Sequence, residues 1–318
     1  MLVTTERPAI SRPALTTTVA KEYVHRAALS EVFLTGWYRT GDDEFVVTAQ
    51  WPRSHSFYAT EHGLHDPLLL CETVRQTFPL LSHAAYDVPF GHQLSWSHFR
   101  YSVSPQAMRV ANTPAEIELH VRCSDIRYRR DVLASMSMRI EAVRNGSQLA
   151  VADTHFGCHT PKVYERLRAG GRGNVAQMFA SAPAPTAPVP HSLVGRDRHK
   201  DVVLTPTQDE HRWQLRVDPT HPVLFDHPVD HVPGMLLLES VRQAAHALTP
   251  TTGLAIPTAM DVTFNRYVEF DAPCWIEAEP APPSPEGDDS PRSVRINAVQ
   301  SGTSAFTATT ELTEVPAP

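Results

Sequence analysis

The chain writes one pattern twice. Val24-His25-Arg26 is followed by Val32-Phe33-Leu34-Thr35, and Val194-Gly195-Arg196 is followed at the same interval by Val202-Val203-Leu204-Thr205. Further on, HDPLLLCETVRQ (65–76) lines up with VPGMLLLESVRQ (232–243), Val88-Pro89 with Ile256-Pro257, and Arg100-Tyr101 with Arg266-Tyr267. The offset drifts only from 170 residues at the first match to 166 at the last. Ordered matches at a near-constant offset mark a tandem duplication, so the chain folds as two copies of one unit. Its 318 residues also suit two domains, at about 150 residues each.

The copies are set apart by composition. Residues 169–192 (AGGRGNVAQMFASAPAPTAPVPHS) have no hydrophobic period and read as an Ala/Pro/Gly linker. The expected layout is a flexible N-terminus (1–23), one unit over 24–168, the linker, and a second unit over 193–318. A smaller insert of the same character, PAPPSPEGDDSP (280–291), reads as a solvated hairpin loop. In each unit a strand (43–50; 212–217) precedes one long helix (67–82; 234–248). Longer strand-like runs follow at 115–126, 131–143 and 148–157, and at 259–270, 274–279, 292–300 and 304–313. Asn145-Gly146 and Ser301-Gly302 supply hairpin turns. The class is α+β: a central helix covering the apolar face of a mostly antiparallel sheet.

With 42% hydrophobic and 20% charged residues the chain is globular, and no apolar run is long enough to span a membrane. The polar N-terminus carries no signal-peptide pattern. Cys71, Cys123, Cys158 and Cys274 show no CxxC spacing, which argues against a thiolate zinc site or a disulfide framework. A cytoplasmic protein is expected. A net charge of −7 disfavours nucleic acid as a partner. The only lysines are Lys21, Lys162 and Lys200, so any bound phosphate is expected on arginine.

Candidate chemistry sits on the two helices. Glu72, Arg75 and Gln76 share one helical face, and Glu239, Arg242 and Gln243 repeat it. A surface ion pair is one reading. A buried, functional cluster is the other, because both helices are otherwise leucine- or alanine-rich. Ahead of the second helix stand Asp226, His227, Asp230 and His231, then Pro233-Gly234. His231 beside a helix start offers acid/base chemistry, and the free N–H groups at Gly234 and Met235 could polarise a thioester carbonyl. The first copy has His65 and Asp66 there but no glycine. Too few ligands converge for a metal site. Trp51, Trp96, Trp213 and Trp275 read as core or interface residues, and Cys71 as core. Arg127, Arg129 and Arg130 form either a solvated strand edge or a docking patch for an acidic partner.

HPVLFDHPVDHVPGMLLLESVRQAA resembles the hot-dog dehydratase pattern. Together with VHR, AQWPRSHSFY, HDPLLLCETVRQ, DVVLT and RYVEFDAPCWI, it resembles more closely the A-factor biosynthesis (AfsA-type) family over nearly all of residues 24–279. The resemblance implies two tandem hot-dog units packed as a pseudo-dimer. It implies an acyltransferase that moves a β-ketoacyl group from an acyl carrier protein to the hydroxyl of dihydroxyacetone phosphate, in the synthesis of a γ-butyrolactone, butenolide or furan signal. No cofactor is implied, and the chain is either a monomeric pseudo-dimer or a homodimer. In this scheme Glu239, then Glu72, serves as the base, on the expectation that burial raises a carboxylate pKa. His231 assists catalysis. Arg242, Arg75, Gln243, Gln76, Asp230 and Asp66 contact substrate, with Gly234 and Met235 at the oxyanion. A hot-dog dehydratase or thioesterase, and a non-catalytic acyl- or lactone-binding module, remain the alternatives.

Overall fold

The computed structural model describes residues 16–59, 63–168, 175–180, 182–249, 254–281 and 292–315. The first half runs β1 (Leu34–Gly41), β2 (Glu44–Trp51), α1 (Pro67–Ala84), β3 (Gln93–Val103), β4 (Ala115–Arg129), β5 (Val132–Arg144) and β6 (Ser147–His159). The second runs β7 (Leu204–Pro206), β8 (Arg212–Leu215), α4 (Gly234–Leu248), β9 (Leu254–Phe264), β10 (Cys274–Pro280), β11 (Arg292–Gln300) and β12 (Thr303–Val315). Two short helices, α2 (Pro161–Leu167) and α3 (Val175–Ala180), lie between the halves.

The strands show the period-2 burial of a sheet with one covered face. In β4, Ala115, Ile117, Leu119, Val121 and Cys123 are buried while the residues between them are exposed. α1 is buried almost all round, with Arg75 among the exceptions. A helix that is apolar on every side belongs inside a core, and here each helix is enclosed by its own half of the sheet. Asp66 caps α1 by accepting from the Leu68 N–H at 2.9 Å, with Pro67 at the first helical position. α4 starts at Pro233 with no side-chain cap.

Among the described residues all twelve strands join one antiparallel sheet, in the order β1-β2-β4-β5-β6-β3-β9-β12-β11-β10-β8-β7. The halves meet where β3 pairs with β9, from His98 opposite Thr263 to Ser102 opposite Ala259. Asn145-Gly146 and Ser301-Gly302 take positive φ at both positions and turn β5 into β6 and β11 into β12.

Several expectations need correction. β1 and β3 lie outside the expected strands, and the run expected at 259–270 stops at Phe264. Residues 16–23 are not loose: the Val19 N–H donates to Leu34 O at 2.9 Å, and Tyr23 packs on Phe90 with ring centroids 5.4 Å apart. Val175–Ala180 is helical inside the expected linker. The rest of the proposed insert loop, 282–291, and linker residues 169–174 lie outside the described residues. Two of the repeat matches are not structural equivalents. Ile256 lies within β9 whereas Val88 precedes β3, and Arg100 stands opposite Asp261 in the seam while Arg266 lies beyond β9. The true counterparts are quieter: His65 N–H to Met108 O in one half matches Val232 N–H to Val268 O in the other.

The seam leaves β3 or β9 as an open edge if the halves are separated. Residues 16–168 expressed alone should therefore elute as a dimer or larger species, and adding the second half should yield a one-to-one complex, as read by size-exclusion chromatography with light scattering.

Candidate active site

Each central helix carries one fully buried glutamate. Glu72 Oε1 accepts from Arg26 Nε at 2.9 Å, Arg75 Nη2 at 2.9 Å and Gln76 Nε2 at 2.7 Å, while Oε2 accepts from Arg75 Nε at 2.8 Å. Glu239 repeats the set with Arg196 Nε at 2.8 Å and Nη2 at 2.6 Å, Arg242 Nε and Nη2 at 2.9 Å each, and Gln243 Nε2. Each glutamine amide oxygen then accepts a backbone N–H, from Phe33 at 3.0 Å or Val203 at 2.9 Å, tying helix to first strand. The surface ion-pair reading is thereby excluded for both glutamates.

The charge state reverses the expected one. Burial alone would push both carboxyls up, but the guanidiniums more than offset it. Arg26 and Arg75 hold Glu72 at about 2, and Arg196 and Arg242 hold Glu239 well below the usual carboxylate range. Their lone pairs are taken and their proton affinity is low, so neither Glu239 nor Glu72 is suited to act as a base. Gln76 and Gln243 are likewise consumed by the glutamates and the backbone. Arg242 divides its donors between Glu239 and the Val194 and Gly195 carbonyls and does not line the cavity described next.

That cavity, of about 500 Å³, opens where the two halves meet. Arg26 and Arg75 enter it from the first half, and Pro233, Gly234 and Met235 at the start of α4 enter from the second. Phe78, Leu94, Trp96, Phe156 and Phe264 supply apolar wall. Trp96 stacks on Phe264 across the seam (5.4 Å, 9°) and is held by its Nε1–H donating to Thr154 Oγ1 at 2.8 Å, so this tryptophan is an interface residue, one of the two places expected for it, and also lines the cavity. A Cβ at Gly234 would stand 3.0 Å from Trp96 Cε3, which is the physical demand for glycine there.

His231 also lines the cavity, with Nδ1 bonded to Asp230 Oδ1 at 2.7 Å. Asp230 is itself fixed by Tyr164 Oη at 2.8 Å and Arg168 Nε at 2.9 Å, and Arg168 continues to Glu269 at 2.6 and 2.8 Å. Burial opposes the Asp230 charge, but the bonds from His231, Tyr164 and Arg168 win and keep it ionised. Asp230 thus orients His231 instead of facing substrate. Arg266, exposed on the cavity rim, has no carboxylate partner among the described residues. Its place on the rim was not foreseen in the sequence, where only its false alignment with Arg100 drew notice.

The two halves differ at the symmetry-related place. Arg196 Nη1 donates to Phe57 O at 2.9 Å and to Asp66 Oδ2 at 3.1 Å, so Asp66 both caps α1 and closes the junction over Glu239. The position matching Asp66 is Pro233, which has no carboxylate to give Arg26, and there the cavity lies open. Asp66 is therefore a sealing residue in this structure, not a substrate contact. A repeated pair also escaped the sequence reading. His55 and His221 each take two backbone N–H groups on Nδ1 and face Glu31 or Asp201 through Nε2, at 3.4 and 3.1 Å, pinning the loop before each helix.

A long helix enclosed by antiparallel sheet, repeated and joined at one seam, defines a double hot-dog protein. The fold matches the 12:0-ACP thioesterase from Umbellularia californica with a TM-score of 0.53 at 12% identity, over 87% of this chain and all of that one. The model of the A-factor biosynthesis hotdog domain matches residues 9–160 and 179–316. The chain belongs to that family. It is 48% identical to a 2-oxo-3-(phosphooxy)propyl 3-oxoalkanoate synthase from Streptomyces virginiae, over 92% of this chain and 96% of the relative. A synthase of the same description from Streptomyces griseus is 42% identical over 91% of this chain and 93% of the relative. Among the described residues no helix is long and apolar enough to cross a membrane.

The buried charges and the close glycine both have measurable consequences. Glu239→Gln leaves two buried guanidiniums facing a neutral group and should cost about 3–5 kcal/mol in urea unfolding; Glu72→Gln, whose partner Arg75 is partly exposed, should cost less. Because the folded pKa of Glu72 lies below its ordinary 4.5, its stabilising share is full above pH 4.5 and is lost as pH falls toward 2. The wild type should therefore lose stability over that acid window more steeply than Glu72→Gln. Gly234→Ala should cost about 1–3 kcal/mol by overpacking against Trp96, and a shifted Trp96 emission spectrum would report the displaced ring.

Proposed function

We propose that this protein joins a 3-oxoacyl group, delivered as an acyl-carrier-protein thioester, to the free hydroxyl of dihydroxyacetone phosphate. The product names of its relatives support the reading, since a 2-oxo-3-(phosphooxy)propyl ester is what that alcohol becomes on acylation. The observation that carries it is the make-up of one cavity. An uncapped helix start, a carboxylate-held histidine and unsaturated guanidiniums converge inside apolar walls.

The acyl tail lies against Phe78, Trp96 and Phe156. The thioester carbonyl is received by the N–H groups of Gly234 and Met235, where the helix dipole favours developing negative charge. The phosphate is held by Arg266 and Arg75, with His227 beside them on the wall. Of the lining side chains only Asp226 is acidic among the described residues, and it is occupied by the Ala27 and Ala28 N–H groups at 2.6 and 2.9 Å. Asp230 favours the proton on His231 Nδ1, which leaves the bare Nε2 to take the acceptor's hydroxyl proton and then to hand it to the departing sulfur. The chemistry described needs no metal or redox group. The exposed hairpin bearing Arg127, Arg129 and Arg130 suits docking of an acidic carrier protein.

Mass spectrometry of the protein with a 3-oxoacyl carrier or pantetheine thioester and dihydroxyacetone phosphate should detect the phosphorylated ester. Free acid alone would instead indicate a thioesterase. Arg266→Ala should raise the KM for the phosphate acceptor about 10- to 100-fold with little change in melting temperature. His231→Gln should lower kcat by about 10²–10⁴.

A further inference from the structure

The two junctions spend one matched arginine differently. At the sealed junction Arg196 Nη1 donates to Phe57 O at 2.9 Å and to Asp66 Oδ2 at 3.1 Å. Arg26, its match, commits Nε and Nη2 to Glu72 Oε1, at 2.9 and 2.5 Å. The Arg26 side chain is only 6% exposed and lines the cavity. Among the described residues its Nη1 has no hydrogen-bond partner. Val223 stands where Phe57 does, since each N–H donates to Nδ1 of the loop histidine two residues before it, yet the Val223 carbonyl takes no bond from Arg26. A guanidinium N–H facing a cavity from so buried a side chain is a donor for what enters.

The sealed junction shows what shape of ligand suits that donor. There the Asp66 carboxylate bridges a helix start and an arginine: Oδ1 accepts the Leu68 N–H at 2.9 Å, and Oδ2 accepts Arg196 Nη1. At the open junction the matched donors are the Met235 N–H and Arg26 Nη1. Asp66-Pro67 in one copy is Pro233-Gly234 in the other. That exchange withdraws the carboxylate and puts a residue with an N–H where proline has none. No side chain caps the start of α4. The donors therefore suit two oxygens side by side on one small group. A 3-oxoacyl thioester with both carbonyls turned to one side presents such a pair, on carbons separated by a single methylene. The acceptor's phosphate suits the place less well, because three carbons separate it from the hydroxyl that must reach the thioester carbon.

We infer that Arg26 recognises the 3-oxo group of the acyl chain, Nη1 donating to that oxygen while the Gly234 and Met235 N–H groups hold the thioester oxygen. This rests on the acyl-transfer reading above. Glu72 fixes the guanidinium from its other side, so the 3-oxo oxygen meets a donor already in place. A saturated chain leaves the N–H of a buried cation against hydrocarbon, and the site rejects it.

The test uses pantetheine amides, in which nitrogen replaces the thioester sulfur and no transfer occurs. By isothermal titration calorimetry the 3-oxoacyl amide should bind the wild type about 10- to 100-fold more tightly than the saturated amide of equal length. Arg26→Lys keeps a charge beside Glu72 but has no guanidinium fork, and it should bring the two amides within about threefold of each other. Affinity for dihydroxyacetone phosphate should hold. A loosened fold would weaken both amides without changing their ratio. Because Arg26 belongs to a buried cluster, Pro233→Asp is the companion variant. It copies the sealed junction by giving Arg26 a carboxylate, so its melting temperature should hold or rise while the 3-oxo preference disappears. A wild type without the preference, or a folded variant that keeps it, overturns the assignment. Weaker binding of dihydroxyacetone phosphate to Arg26→Lys with the preference intact places the arginine on the phosphate and also overturns it. A wild type that only hydrolyses the 3-oxoacyl thioester overturns the acyl-transfer reading instead, and the amide preference still decides Arg26.

Discussion

Each half of the molecule is organised by a carboxylate that has nowhere to go. Glu72 and Glu239 lie at the centre of their helices with no solvent access, and taking such a charge from water costs several kcal/mol per ion. Two arginines and one glutamine offset that cost in each copy, and they come from different elements. Arg26 and Arg196 arrive from the turn ahead of the first strand, and Gln76 and Gln243 return to that strand's backbone. The cluster therefore sets the position of helix, turn and strand together. It has one correct geometry, because any slip leaves a buried charge unpaired.

The same cluster prepares the cavity. Arg26 and Arg75 are held rigid from beneath by Glu72, so their outward faces need little reordering when an anion arrives. The wall around them combines cationic and imidazole-bearing side chains with aromatic ones. A chain of net charge −7 thus concentrates positive potential in one place. An amphiphile with a phosphate near one end and an alkyl chain at the other meets both halves of that surface.

Much of this was legible in the sequence and some was not, for physical reasons. The Glu-x-x-Arg-Gln faces were visible because helical spacing alone places Glu72, Arg75 and Gln76 together. The sign of their pKa shift was not, since the second arginine of each set comes from 46 or 43 residues away. Gly234 and His231 announced themselves by their position before a helix. Asp66 was as visible before the first helix, but its part in the junction was not, because its bond to Arg196 joins the two halves. β1 and β3 escaped because β3 mixes polar and aromatic residues in a half-exposed pattern, which a strand at a seam tolerates. The Arg-Tyr match misled because two residues agree easily by chance, whereas the hydrogen bonds of His65 and Val232 repeat without shared identity.

The contrast between Asp66 and Pro233 has a consequence for what duplication made available. In a dimer of identical subunits one gene writes both junctions, so a carboxylate that seals one would seal the other. Joining the copies in a single chain removes that constraint. One junction has become a fastener, with Arg196 clamped between Phe57 O and Asp66, while its twin has kept the room, with His25 at a φ of 52° on its wall. The fused chain divides its labour: one interface holds the halves together, and the other is free to open to a ligand.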